Sequence, residues 1–221
     1  MGNRLTVVMY HYVRDLKNSR YPEIKGCDVR LFREQVQYIK KHYTPVTVEQ
    51  VLESQNSGEK LPEHAILLTF DDAYADHFTY AFPILYHEHI QGVFFPPVKA
   101  VTEHTVLDVN KVHFILATTP SEKMPMLLSE LRRMVDANRD EYGLDTFENY
   151  FEKLAVASRF DPKEVIFVKR LLRLRLEVEY CFLQGVILRK MFIFRCIDDI
   201  FVFVKQKQFI TLCVSILYLL N

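Results

Sequence analysis

The sequence has no net charge to speak of: 28 basic and 28 acidic residues balance in a chain of 221, which removes any global electrostatic ground for binding nucleic acid. Cysteine is scarce. The four present, Cys27, Cys181, Cys196 and Cys213, contain no C-x-x-C spacing, so neither a zinc knuckle nor a disulfide framework is indicated and they read as reduced, mostly buried thiols. No apolar stretch of signal-peptide length precedes His11, and a cytoplasmic location is the expectation. The C-terminal apolar run, Phe209 to Leu220, falls short of the roughly 18 to 20 residues that span a bilayer. A membrane partner is not expected. Histidine stops at His113, proline stops at Pro162, and only Gly185 among the glycines follows that point.

What is present is ordinary globular material, 49% hydrophobic and 25% charged, enough for one sizeable core. Charge is unevenly spread, however. Residues 165–221 carry nine Lys/Arg and four Asp/Glu, leaving 19 and 24 of the 28 and 28 to residues 1–164. Together with the loss of His and Pro and the gain of Cys, Phe, Leu and Ile, this divides the chain into a domain over residues 1–170 and an atypical apolar, basic tail over 171–221.

Along the first part, Leu5–Tyr10 is a β-branched apolar run expected to form a buried strand. Asp28 is placed to cap a helix over Val29 to Tyr43, and Thr47 with Gln50 forms a capping box opening a helix that reaches about Ser54. Ala65 to Phe70 is apolar on both faces, as a parallel strand covered by helices is. A helix from Asp76 to His89 and a strand over Gly92–Phe95 follow, which is β-α-β order and favours a parallel sheet or barrel. Thr119-Pro120-Ser121-Glu122 predicts a helix start with Thr119 as cap, Thr146 to Ser158 a further helix, and Asp161-Pro162 the start of another.

The chemistry gathers at Asp71 and Asp72, adjacent carboxylates at the C-terminal end of a buried strand. Two such groups repel and are desolvated unless something compensates their charge. A divalent metal does so economically, with one carboxylate as ligand and the other facing the metal-bound water as base. The alternative is purely local: the pair caps the next helix or accepts backbone amides in a tight turn.

The surrounding residues bear on this choice. Leu67-Leu68-Thr69-Phe70-Asp71-Asp72-Ala73-Tyr74 resembles the T-F-D-D-G motif of the NodB-homology polysaccharide deacetylases, carbohydrate esterase family 4. Met9-Tyr10-His11-Tyr12-Val13 resembles that family's M-Y-H-x-V segment, and Gly92-Val93-Phe94-Phe95-Pro96 its A-T-F-F-V strand. The resemblance implies an α/β fold, a distorted (β/α) barrel of the NodB type, incomplete here. It also implies Asp71 as general base, Asp72 as metal ligand, His11 and Tyr74 in the substrate pocket, a divalent cofactor such as zinc, and an acetylated carbohydrate as partner. Ala73 stands where the family has Gly, which restricts the backbone if a positive φ is needed. The family completes its metal site with a later pair of histidines four residues apart, and no residue after His113 supplies them. His87 and His89 are read as solvated residues at a helix end. The implied activity is therefore removal of acetyl groups from amino sugars, expected to be impaired in this chain for want of metal affinity, with the frame of the gene lost near Arg170 to Arg173. The alternative is a catalytically silent sugar-binding or scaffold module of the same fold.

Overall fold

The computed structural model describes residues 4–173; the tail from residue 174, with Cys181, Cys196 and Cys213, lies outside the described residues. The described chain falls into two compact units, residues 4–105 and 106–173. Among the described residues no helix is long and apolar enough to cross a membrane.

The first unit is mixed α/β and built on a parallel sheet. Its middle strand β5, Ala65–Asp71, pairs along its length with β1, Leu5–Tyr10, in the register Leu5 to Ala65 and Tyr10 to Phe70. The other edge of β5 is shared: β4, Thr44–Pro45, meets Ala65 and Ile66, and β6, Gly92–Phe95, meets Leu68 to Asp71. Two short strands, β2 (Val13–Arg14) and β3 (Cys27–Asp28), form a separate parallel ladder.

Alternation along β5 assigns its side chains to two layers. Ile66, Leu68 and Phe70 pack with Tyr10, Phe32, Val36, Ile39, Ile84 and Leu85. The helices supplying that layer are α1, Val29–His42, and α3, Phe82–His87. Asp28 caps α1 by accepting from Arg30 N–H, as its position before the periodic run predicts. On the other face Ala65 and Leu67 pack with Val46 and Val93, flanked by Leu5 and Val51. Helix α2, Val48–Ser57, opens on the expected capping box of Thr47 and Gln50. It runs one turn beyond the sequence expectation, because Gly58 adopts φ +77 and closes it in the left-handed conformation that glycine accepts freely.

The expected helix after the carboxylates is in fact two pieces. His77–Ala81 is a wide turn in which Phe82 N–H reaches back to the His77 carbonyl, and only then does α3 begin. Pro83 accounts for this: it lacks an N–H and its ring crowds the carbonyl four residues earlier, so the preceding turn opens. Gly92 is required by close packing, since a Cβ there would lie 2.9 Å from both Leu85 Cδ1 and Phe70 Cε2.

The second unit is helical: α4, Val98–Thr102, closes the first unit, and α5 (Asp108–Ala117), α6 (Met124–Tyr142), α7 (Phe147–Leu154) and α8 (Lys163–Leu171) build the second around Leu131, Val135, Phe167 and Val168. Thr119 does not cap α6 as expected; its hydroxyl donates back to the Ile115 carbonyl, and a short 3-10 turn over Ser121–Lys123 leads in. Thr146, expected inside the next helix, is instead the cap of α7, which stops at Leu154, short of the expected Ser158.

Candidate functional site

Strand β5 delivers Asp71 and Asp72 to the carboxyl edge of the sheet, the end at which open α/β sheets carry their sites. The backbone then turns through two successive left-handed residues, Asp72 at φ +71 and Ala73 at φ +49. For residues with a Cβ this conformation is strained by roughly 1–2 kcal/mol each, and what surrounds the turn must hold it.

Two contacts define the carboxylates. Tyr74 Oη donates to Asp72 Oδ2 at 2.7 Å, and His11 Nε2 lies 3.9 Å from Asp71 Oδ2. No backbone amide donates to either group among the described residues, so the pair does not serve as a helix cap or turn acceptor here. The Asp71 side chain is 32% exposed and that of His11 45%, and both are open to a ligand from solvent. Asp71 shares a sheet face with Thr69, Leu67 and Ala65, and its direct partner across the ladder is Phe95.

Tyr74 itself is buried. Its ring stacks on Tyr12 at 4.1 Å between centroids, the Arg14 guanidinium lies 5.0 Å from the Tyr12 ring centre, and Arg14 Nε donates to Asp76 Oδ2 at 2.6 Å. This column joins the segment after β1 to the segment after β5. Burial, and then the neighbouring Tyr12 and Asp72, push the Tyr74 phenol far above its ordinary pKa, so it stays a donor.

His77 completes the arrangement from the wide turn. It is fully buried, with Phe70 and Tyr74 rings 5.4 and 5.5 Å away, and its Nε2 lies 2.5 Å from the His11 carbonyl oxygen. A carbonyl only accepts, so Nε2 carries the proton and Nδ1 is a bare lone pair. That atom is buried and has no hydrogen-bond partner among the described residues. Desolvation lowers the His77 pKa to about 4, against the raising influence of the His11 carbonyl, and the imidazole is neutral at ordinary pH.

A divalent metal needs about three protein donors converging on one point. Among the described residues no three of His, Cys, Asp and Glu are so grouped, and one Asp72 oxygen is already engaged by Tyr74. The described residues by themselves do not fit a metal centre.

No protein-family model matches the chain. Over 85 residues it is 34% identical to the poly-beta-1,6-N-acetyl-D-glucosamine N-deacetylase of Escherichia coli strain K12, a match covering 38% of this chain. Over that stretch the chain resembles a polysaccharide N-deacetylase. The match spans only 12% of the length of that enzyme. Among solved structures, the chain is similar to a de-N-acetylase from Aggregatibacter actinomycetemcomitans, with 26% identity over 44% of this chain and 38% of that one at a TM-score of 0.38. It is also similar to IcaB from Ammonifex degensii, with 21% identity over 66% and 72% of the two chains at a TM-score of 0.39.

Of the residues singled out in the sequence, Asp71, Asp72, His11 and Tyr74 all meet at this one edge. Tyr74 stands behind Asp72 as a buried donor. His87 is exposed at the end of α3 and bonded to Glu88 Oε1, away from any ligand set. His77, Arg14 and Asp76 carried no sequence signal: Arg14 and Asp76 pair across 62 positions, and nothing local marks such a partner.

Proposed function

We propose that residues 4–105 are the front part of a polysaccharide deacetylase domain, an incomplete distorted (β/α) barrel directed at an acetylated amino sugar. Asp71 occupies the position of the base and Asp72 that of one metal ligand, with His11 at the pocket wall. The observation that carries this reading is the pair of carboxylates at the C-terminal end of parallel strand β5, facing an exposed histidine and free of any capping bond. With only one carboxylate in a ligand position among the described residues, this chain binds zinc weakly and does not turn over.

Incubating the full chain with zinc or cobalt(II) chloride and a tetramer of N-acetylglucosamine tests this. The expected result is binding of the sugar without stoichiometric metal at micromolar concentration and without release of acetate. Acetate release with one bound metal per chain would reinstate a working hydrolase, and absence of sugar binding would remove the carbohydrate reading altogether.

A second reading, a sugar-binding or scaffold module, is favoured by one specific observation: Asp72 Oδ2 accepts from the buried, neutral phenol of Tyr74.

A further inference from the structure

We infer that His77 is a positioning residue, whose buried imidazole holds the main chain at His11 so that the His11 ring stays beside the Asp71 carboxylate. The inference rests on reading Asp71 as the reactive carboxylate of a sugar-directed site.

A fully buried imidazole with one nitrogen unpartnered among the described residues is a costly filler. Burying an unsatisfied polar atom is unfavourable, and a phenyl or isobutyl group would fill the same aromatic surroundings without that cost. The return on it is a single bond, from Nε2–H to the His11 carbonyl. That carbonyl belongs to the first residue beyond β1, where sheet pairing has ended at Tyr10 and no ladder holds the chain. The next carbonyl, of Tyr12, accepts from Cys27 N–H at 2.8 Å. His11 is thus tied from both sides through its backbone while its side chain remains 45% exposed.

The His77 ring has little freedom to release this grip. Phe70, Tyr74 and Phe94 surround it at 5.4, 5.5 and 5.9 Å, and Phe70 and Phe94 are themselves stacked at 4.8 Å in the core. The wide turn that carries His77 starts six residues after Asp71, so consecutive elements fix the two members of the pair: β5 delivers the carboxylate and the turn that follows it holds the histidine's backbone.

The test compares His77→Phe, which keeps volume and removes the donor, with His77→Gln, whose amide N–H reaches to about the same point. In histidine-labelled protein, Asp71→Asn is expected to move the His11 ring resonances in the wild-type and His77→Gln backgrounds, and to leave them unmoved in His77→Phe. Affinity for the N-acetylglucosamine tetramer is expected to fall about tenfold in His77→Phe, as in His11→Ala, with no further fall in the double variant. Equal response of His11 to Asp71→Asn in all backgrounds would reduce His77 to packing. So would additive losses in the double variant. If the wild-type chain binds no sugar, the proposed function fails while the resonance comparison still decides the positioning role. Should His77→Phe not fold, His77→Leu replaces it. The wild-type chain supplies a check needing no variant: nitrogen shifts must show His77 protonated on Nε2, and protonation on Nδ1 overturns the inference.

Discussion

Tyr74 Oη donates to Asp72 Oδ2 over 2.7 Å, although only Ala73 separates the two residues. The short reach is available because Asp72 and Ala73 both take positive φ and fold the chain back on itself. Tyr74→Phe removes the donor and leaves a partly buried carboxylate oxygen with no partner among the described residues. A loss of about 1–2 kcal/mol is expected, read from the urea midpoint with an unchanged slope.

Ala73 is strained where it stands. At φ +49 a glycine has no Cβ to clash, so Ala73→Gly relieves about 1 kcal/mol or more in the folded chain and gives part of it back through a freer unfolded chain. A net gain of about 0.5–1 kcal/mol is expected, seen as a higher thermal midpoint. A lower midpoint would mean that the packing of the Ala73 methyl group outweighs its strain.

His77 makes stability depend on acid. Its pKa falls from 6.5 to about 4 on folding, so the unfolded chain takes up the proton first. Above about pH 6.5 neither state is protonated there and nothing is lost. As pH falls from about 6.5 to about 4 the unfolded state is progressively favoured, by about 3 kcal/mol in total, and below about 4 the loss levels off. Urea unfolding between pH 7 and 4 should show this slope, and His77→Phe should flatten that part of it.

Arg14 and Asp76 form a largely buried ion pair, with side chains 13% and 17% exposed. Removing one partner strands the other, and Asp76→Asn is expected to cost about 2 kcal/mol, less than a fully enclosed pair would. Because Arg14 also lies over Tyr12, whose ring backs Tyr74, near-ultraviolet circular dichroism should report loosening of the tyrosine stack in the same variant.

Strands β1, β5 and β6, the caps at Asp28 and Thr47, and the location of the carboxylate pair were legible in the sequence because each rests on local rules: an apolar run, a hydroxyl three residues before its partner, a strand ending in charge; β1, expected to be buried, is an edge strand with Thr6, Val7 and Met9 exposed. Thr119 misled because the same hydroxyl that suits a cap can bond back to the helix before it, and Ile115 O was nearer. Pro83 was visible, but whether it kinks, breaks or widens a helix depends on the turn before it. The supports of the site were not legible at all. His77 is one histidine among eight, and what distinguishes it is a carbonyl 66 positions away.

Val7, Met9 and Phe95 are 55%, 59% and 53% exposed, and alternation along β1 and β6 sets all three on the sheet face that carries Asp71. Anyone improving expression of this chain by replacing its greasy surface residues would begin there, and would be rewriting the lining around the carboxylate with every improvement. Solubility and chemistry are inscribed on the same few square ångströms, so variants chosen for good behaviour in the tube have to be rechecked for ligand affinity, Phe95 before the others.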